Sequence, residues 1–451
     1  MSHRLPTALF SILLAGACLA KLAHATPEIP GATQDKPIVL TGATVHPVSG
    51  PVIENGVVLF DKGKLVGVGR ELKIPEGAQI IDVAGKHVYP GLIDANTQLG
   101  LIEIPSVRGT VDQAETGDIN PNVKAQVAFN PDSELIPVTR ANGVLTALSV
   151  PAGGMITGQS ACMLMDGWTF EDMCLKPAVG MHIHWPQMAP QDAWWVEQTG
   201  AAQTEDRDRS LKTIRKAFAD ARIYLTSKQA HAAGNGAAPD YDTRWEAMIP
   251  VLKAEQPVFI TAEDAAQIQS ALAFCEKEKL RPVIVGGYGA PECATLLKKH
   301  KAPVIIGGVY RLPRRRGDAY DAPFTVAAKL HEAGVPFCIA GSPVGSSGST
   351  TSNVRNLPYN AGTAAAYGLP AEEALKAITT YPAQILGVAD RVGSLEAGKD
   401  ATLIVTTGDP LEISTQVTAA YIQGRPVELN DRHKRLWEKY KEKYRRIGIK
   451  N

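Results

Sequence analysis

From Ile38 to Val83 the chain alternates short apolar, β-branched runs with turn residues. Ile38-Val39-Leu40, Val57-Val58-Leu59-Phe60, Lys64-Leu65-Val66-Gly67-Val68 and Ile80-Ile81-Asp82-Val83 are separated by Gly, Pro, Asn and Asp. Runs of this length between such residues predict strands. Two further runs of the same kind, Ala401–Val405 and Ala419–Ile422, lie near the other end. The two ends are therefore expected to build one composite β-sandwich domain, residues 38–90 plus 396–429. Between them the period changes. Val258–Ile260, Val283–Val285, Val304–Ile306 and Val335–Ile339 are apolar runs, and helical patterns fill 265–280, a stretch near 291–300 and another near 325–333. Short strands apolar on both faces, alternating with amphipathic helices, imply a parallel sheet covered by helices. The class is α/β. The interval 91–395 has room for a TIM-like (β/α)8 barrel, and a doubly wound sheet has the same pattern.

Two more amphipathic stretches stand apart from this alternation. Leu211, Ile214, Phe218, Ala221 and Leu225 recur at spacings of three and four within 204–225, a helix inserted in or packed outside the sheet. In the C-terminal extension, 430–451, Leu436, Tyr440, Tyr444 and Ile447 align along one stripe with Lys and Arg elsewhere. Such a helix is expected to dock on the protein's own surface, with a subunit contact as the alternative.

Composition narrows the setting. Residues 1–25 combine Arg4, an apolar run Ala8–Leu19 and an Ala23-His24-Ala25 end, the pattern of a cleaved secretory signal peptide, so a periplasmic or secreted protein is expected. A lipid-modified Cys18 is the alternative. The 451 residues are 45% hydrophobic with a formal net charge of zero, and nothing in that average points to nucleic acid or an anionic membrane surface. Cys162, Cys174, Cys275, Cys293 and Cys338 are too sparse for a disulfide framework. Buried free thiols are expected, although Cys162 and Cys174 leave a bridge open.

Lys86 to Gly100 is the stretch that carries chemistry. Val88-Tyr89 and Leu92-Ile93 flank Pro90-Gly91, and the run then turns polar at Asp94, Asn96 and Gln98 with a spacing of two. This is a buried strand whose end opens into a site. Pro90-Gly91-Leu92-Ile93-Asp94-Ala95 resembles the first barrel strand of the amidohydrolase superfamily, in its imidazolonepropionase-like branch. Asn356–Gly362 and the stretch from Thr380 through Asp400 carry the same resemblance, which extends from Ile38 to about Leu429. It implies the (β/α)8 barrel and decides against the doubly wound sheet. It also implies a divalent metal held by two histidines after strand 1, a carboxylated lysine or glutamate after strand 4, single histidines after strands 5 and 6, and an aspartate after strand 8. Such a metal lowers the pKa of bound water and polarises the scissile carbonyl.

At those positions this chain has other residues. Asn96 and Gln98 replace the paired histidines, Thr261 stands at strand 5, Gly286-Gly287 at strand 6 and Ser342 at strand 8. Of ten histidines only His182 and His184, spaced to share one face of a strand, remain as a relocated zinc pair. Otherwise no metal or other cofactor is expected. Glu103, with Asp112 and Glu115, could bring carboxylates to the barrel mouth, and Arg311, Arg314, Arg315 and Arg316 could clamp an anion or simply be solvated. The hydroxyl-rich run Gly341–Ser349 lacks the Lys-Ser or Lys-Thr of a phosphate loop and is expected to be a mobile loop. Asn96, Gln98, Glu103, Thr261 and Ser342 are thus the candidate pocket residues. By resemblance the protein is a hydrolase of carbon-nitrogen bonds other than peptide links, yet its residues point to no metal-dependent turnover. The alternative is a non-catalytic exported protein that binds a small molecule or partners an active amidohydrolase paralogue, as a homo- or hetero-oligomer.

Overall fold

The computed structural model describes residues 29–192, 196–342 and 350–448. Residues 1–25, where a signal peptide is expected, with Cys18, and residues 343–349 of the hydroxyl-rich loop lie outside the described residues. Strands β1 (Ile38–Val45), β2 (Ile53–Asp61), β3 (Lys64–Gly69), β4 (Gln79–Asp82) and β5 (His87–Pro90) come first. The barrel-like part follows, with β6 (Leu92–Thr97), β7 (Val144–Ser149), β8 (Ile156–Gln159), β9 (Ala161–Leu164), β10 (Cys174–Lys176), β11 (Met181–His184), β12 (Val258–Ala262), β13 (Pro282–Gly286), β14 (Val304–Ile306) and β15 (Phe337–Ile339). β16 (Leu403–Thr406), β17 (Val417–Ile422) and β18 (Arg425–Val427) return to the beginning.

The terminal strands form one hydrogen-bonded sheet of eight, in which β5 pairs with β1 on one side and with β16 on the other. Its core mixes Ile38, Leu40, Phe60 and Val88 with Leu403, Val405 and Tyr421, so residues from both ends of the sequence exclude water together. Asp400 pins the return. Its buried carboxylate takes Lys64 Nζ at 2.5 Å and Arg391 Nη2 at 2.6 Å, and it bonds Gln423 at 3.2 Å.

The larger unit is a TIM-barrel-like α/β fold, with a departure from eight parallel strands. β6 and β7 are parallel, as are β11 to β15 in sequence order. Between β7 and β11, however, β8 and β9 run antiparallel to their neighbours, β9 against β7 and β8 against β11. The cause is length: Val150–Ser160, between β7 and its partner β9, is too short for the helical crossover that a parallel return needs. Closure is also indirect. Ile93 N–H donates to the Ile378 carbonyl (2.9 Å) and Ile339 N–H to that of Ala377 (3.0 Å), so backbone beyond the last strand bridges β15 to β6.

The amphipathic stretch at 204–225 belongs to a longer helix, Gly200–Ala232, whose Leu211, Ile214, Phe218 and Ala221 are buried while its other face is charged. The helix near 291–300 begins as a 3-10 turn, Ala290–Cys293, before Ala294–Lys299. Cys162 and Cys174 are both free thiols, so the bridge left open does not form. The C-terminal helix Arg432–Arg446 is present, but the expected docking of its apolar stripe on the protein's own surface is not found. None of its residues is buried, because only its first turn is tied to the body.

Candidate functional site

Strand alternation and ladder register define the candidate site. His182 lies opposite Phe259, and His184, Thr261, Val285, Ile305 and Cys338 follow one another across β11 to β15 at one level and on one face. Beside Cys338 lies Asp94 of β6; burial, and then the charge of Asp94, holds that thiol in its neutral form. Asp94 is fully buried. Its Oδ1 accepts from Asn96 N–H (3.0 Å) and its Oδ2 from Gly341 N–H (3.1 Å), so this one carboxyl joins the ends of β6 and β15. Among the described residues no cation faces it, and burial pushes its pKa up to about 7 against the opposing pull of the two N–H donors.

Asn96 and Gln98 are half-buried at the end of β6, and Thr261 is half-buried at the end of β12. Among the described residues, the side chains of Asn96 and Thr261 have no hydrogen-bond partner, which leaves an amide and a hydroxyl available to a ligand. Ser342 is buried, and its carbonyl accepts from Gly308 N–H at 2.9 Å. Asn360 joins the same two loops. Its Oδ1 accepts from Val309 N–H (2.8 Å), and its Nδ2 donates to the Gly341 (3.4 Å) and Asn356 (3.0 Å) carbonyls. Sequence reasoning used the motif around Asn360 only as a mark of resemblance and missed this bracing role.

Glu103 is committed to a helix end through one oxygen, and its buried Oε2 has no partner among the described residues. Its Oε1 accepts from Glu134 N–H (3.1 Å) at the start of helix Leu135–Arg140, so it buttresses a helix end, and Asp112 and Glu115 are exposed. Of the arginines after β14, Arg311 is drawn into the body, whereas Arg314, Arg315 and Arg316 are exposed. Arg311 Nη1 contacts both oxygens of buried Glu263 (3.0 and 3.2 Å), Arg314 comes to 3.9 Å of the same carboxylate, and Arg315 pairs with Glu292 at 3.3 Å. Tyr288 completes the corner: Arg311 lies over its ring at 5.3 Å and its hydroxyl donates to Asp318 (2.7 Å). Glu263 was the residue that sequence reasoning missed. The available signal was its place two residues beyond Thr261, on the same face of the strand as it ends.

That corner bears on whether the residues present fit a catalytic metal. At Gly286 (φ +104°) an added Cβ would fall 2.9 Å from Glu263 Cδ, and at Gly287 (φ +67°) 2.5 Å from Val304 Cγ1. The expected strand 6 histidine therefore has no room while Glu263 and Val304 stay in place. The relocated pair fares no better. His182 is buried with its ring stacked on Phe259 (centroids 4.8 Å, 11° between planes) and its Nε2 without a partner. Burial, then the neighbouring His184, lowers its pKa to about 3, and burial lowers that of His184 as well. Both imidazoles are held neutral, as ligation requires, but among the described residues no group of three or more His, Cys, Asp or Glu is arranged to hold a metal. The described residues do not fit the group.

The comparisons with known proteins agree with the fold. A model of the amidohydrolase family matches residues 286–428. The amidohydrolase tasK of Hapsidospora irregularis is 23% identical over 425 residues, 84% of this chain and 41% of that protein, so the chain spans less than half the length of this curated relative. An imidazolonepropionase of Bacillus cereus is 47% identical over 51 residues, 11% of this chain and 12% of that protein. The crystal structure of an amidohydrolase from Thermotoga maritima MSB8, 26% identical, superposes with a TM-score of 0.75 over 87% of this chain and 99% of that one. With the strand order and the matching segments in agreement, the chain belongs to the amidohydrolase superfamily.

Proposed function

We propose that this protein uses an amidohydrolase barrel to bind a small, polar, uncharged molecule at the strand ends, without metal-dependent turnover. The observation that carries the reading is the donor set. Asn96 and Thr261 offer an unpartnered amide and hydroxyl, with Gln98 and Ser342 beside them in the sequence frame; Glu263 and Arg311 neutralise each other, and burial pushes Asp94, beside Asn96, toward its neutral form. Amides and hydroxyls are poor zinc ligands and good hydrogen-bonding groups. In this reading the protein is exported and needs no cofactor, and it acts alone, as an oligomer or beside an active paralogue. A second reading keeps the family chemistry, hydrolysis of a non-peptide carbon-nitrogen bond, with zinc on His182 and His184. The family resemblance and the shared strand face of the two imidazoles favour it.

Metal analysis of the purified chain separates the two. The first reading expects well under one equivalent of zinc and a melting temperature unmoved by chelators, because a metal bound only to the folded state would raise that temperature by linkage. Stoichiometric zinc, lost together with hydrolase activity in the His182→Ala/His184→Ala variant, would overturn it in favour of the second.

A further inference from the structure

The C-terminal helix Arg432–Arg446 is the largest feature that the barrel does not explain. At 3.6 residues per turn, Leu436, Trp437, Tyr440, Tyr444 and Ile447 fall within a sector of about 100° that contains no charged side chain. The sector faces water: Trp437 is 57% exposed, Tyr440 47%, Tyr444 43% and Ile447 62%. Charge is arranged around it. Lys443, Arg432 and Lys439 border one side, Lys441 and Lys434 the other, and the two acidic residues, Glu438 and Glu442, project from the opposite pole. Eight Lys and Arg against two Glu give the helix a formal charge of +6, in a chain whose total is zero. The neutral average conceals this asymmetry.

Attachment to the body is confined to the first turn. Asp431 Oδ1 accepts from His433 N–H (2.7 Å) and Lys434 N–H (3.1 Å), and Arg435 Nη2 meets Glu134 at 2.8 Å. Beyond it, the flanking lysines fold across the rings in place of a partner, Lys441 at 4.4 Å from the Trp437 centroid and Lys443 at 5.8 Å from that of Tyr444. Among the described residues no helix is long and apolar enough to cross a membrane.

We propose that this helix lies in the surface of an anionic lipid bilayer, with its aromatic face toward the acyl chains and its flanking lysines and arginines extended to the headgroups. Trp and Tyr suit that boundary, and long basic side chains can bury their stems while the charge stays in water. Negative headgroups complement the basic borders, and the two glutamates face away from them. A second copy of the chain is a poorer occupant, since pairing the stripes would bring two +6 helices together. Nucleic acid would satisfy the charges but leave the uncharged aromatic sector exposed.

The test is co-sedimentation of the full chain with vesicles of phosphatidylcholine alone or mixed with about one-third phosphatidylglycerol. Binding at least ten-fold tighter to the mixed vesicles, weakened in about 0.5 M salt, is expected. Lys439→Glu/Lys441→Glu/Lys443→Glu and Trp437→Ala/Tyr440→Ala/Tyr444→Ala should each abolish it with the melting temperature unchanged. The proposal is overturned if the intact chain does not bind the mixed vesicles at low salt, or if the charge variant binds as well as the wild type. It is equally overturned if the helix instead retains oligonucleotides, or drives a concentration-dependent dimer that the aromatic variant dissolves, without vesicle binding.

Discussion

Two buried carboxyls at the strand ends of this barrel have opposite surroundings. Glu263 sits against Arg311 and Arg314, with Tyr288 stacked beside them, and its charge is compensated. Asp94, at the joint between first and last strands, has two backbone N–H donors and no cation, and its pKa rises to about 7. Burial is common to both carboxyls, and what differs is the partner, guanidinium groups for Glu263 and two backbone N–H groups for Asp94. The difference also divides the site, with one corner closed on its own ion pairs and the seam beside Asn96 left with groups that a ligand can use.

The largest effect should come from breaking the compensated corner. Glu263→Ala leaves two guanidinium groups facing a partly buried void, and a loss of about 3 kcal/mol in urea unfolding is expected. A loss below about 1 kcal/mol would show that the pair is solvated. The uncompensated carboxyl should betray itself through pH. Its folded value, near 7, lies above the unfolded value of about 4, so the stability it contributes is complete below pH 4 and is lost as pH rises through 7. Asp94→Asn should flatten the decline of unfolding free energy within that window, by about 1.4 kcal/mol per pH unit. An unchanged slope would mean that Asp94 is ionised as readily as a surface residue. The smallest change sharpens the first: Arg311→Lys keeps the charge but loses the planar guanidinium over Tyr288, and about 1 kcal/mol of destabilisation is expected.

The same contrast explains what could be read from the sequence. The strands Val258–Ala262, Pro282–Gly286 and Val304–Ile306 were legible because each is a short apolar run between breakers, and the substitutions at Asn96, Gln98, Thr261 and Ser342 were legible because they interrupt a resembled motif. Direction was not legible in Ile156–Gln159 and Ala161–Leu164, whose residues look alike whichever way the strand runs. Only the shortness of the link before them carries that information. Glu263 and Arg311 are 48 residues apart, and no local pattern reports such a pairing. Glu103 shows a related limit: a carboxylate in a loop after a strand gives no sign of whether it faces the mouth or bonds a neighbouring helix end. The tail helix showed its stripe plainly, but periodicity says that a face is apolar and not what covers it.

The indirect closure of the barrel has a consequence for how the protein is made. Ile93, in the first barrel strand, receives its hydrogen-bond partner from Ile378, and Ile339 from Ala377. On the ribosome, nearly the whole barrel must emerge before residues 377 and 378 are available, and until then the first strand presents a bare edge. A nascent chain arrested before Ala377 should therefore be a holdase client and prone to aggregation, whereas release of the following helix, Thr380–Leu386, would let the molecule seal itself.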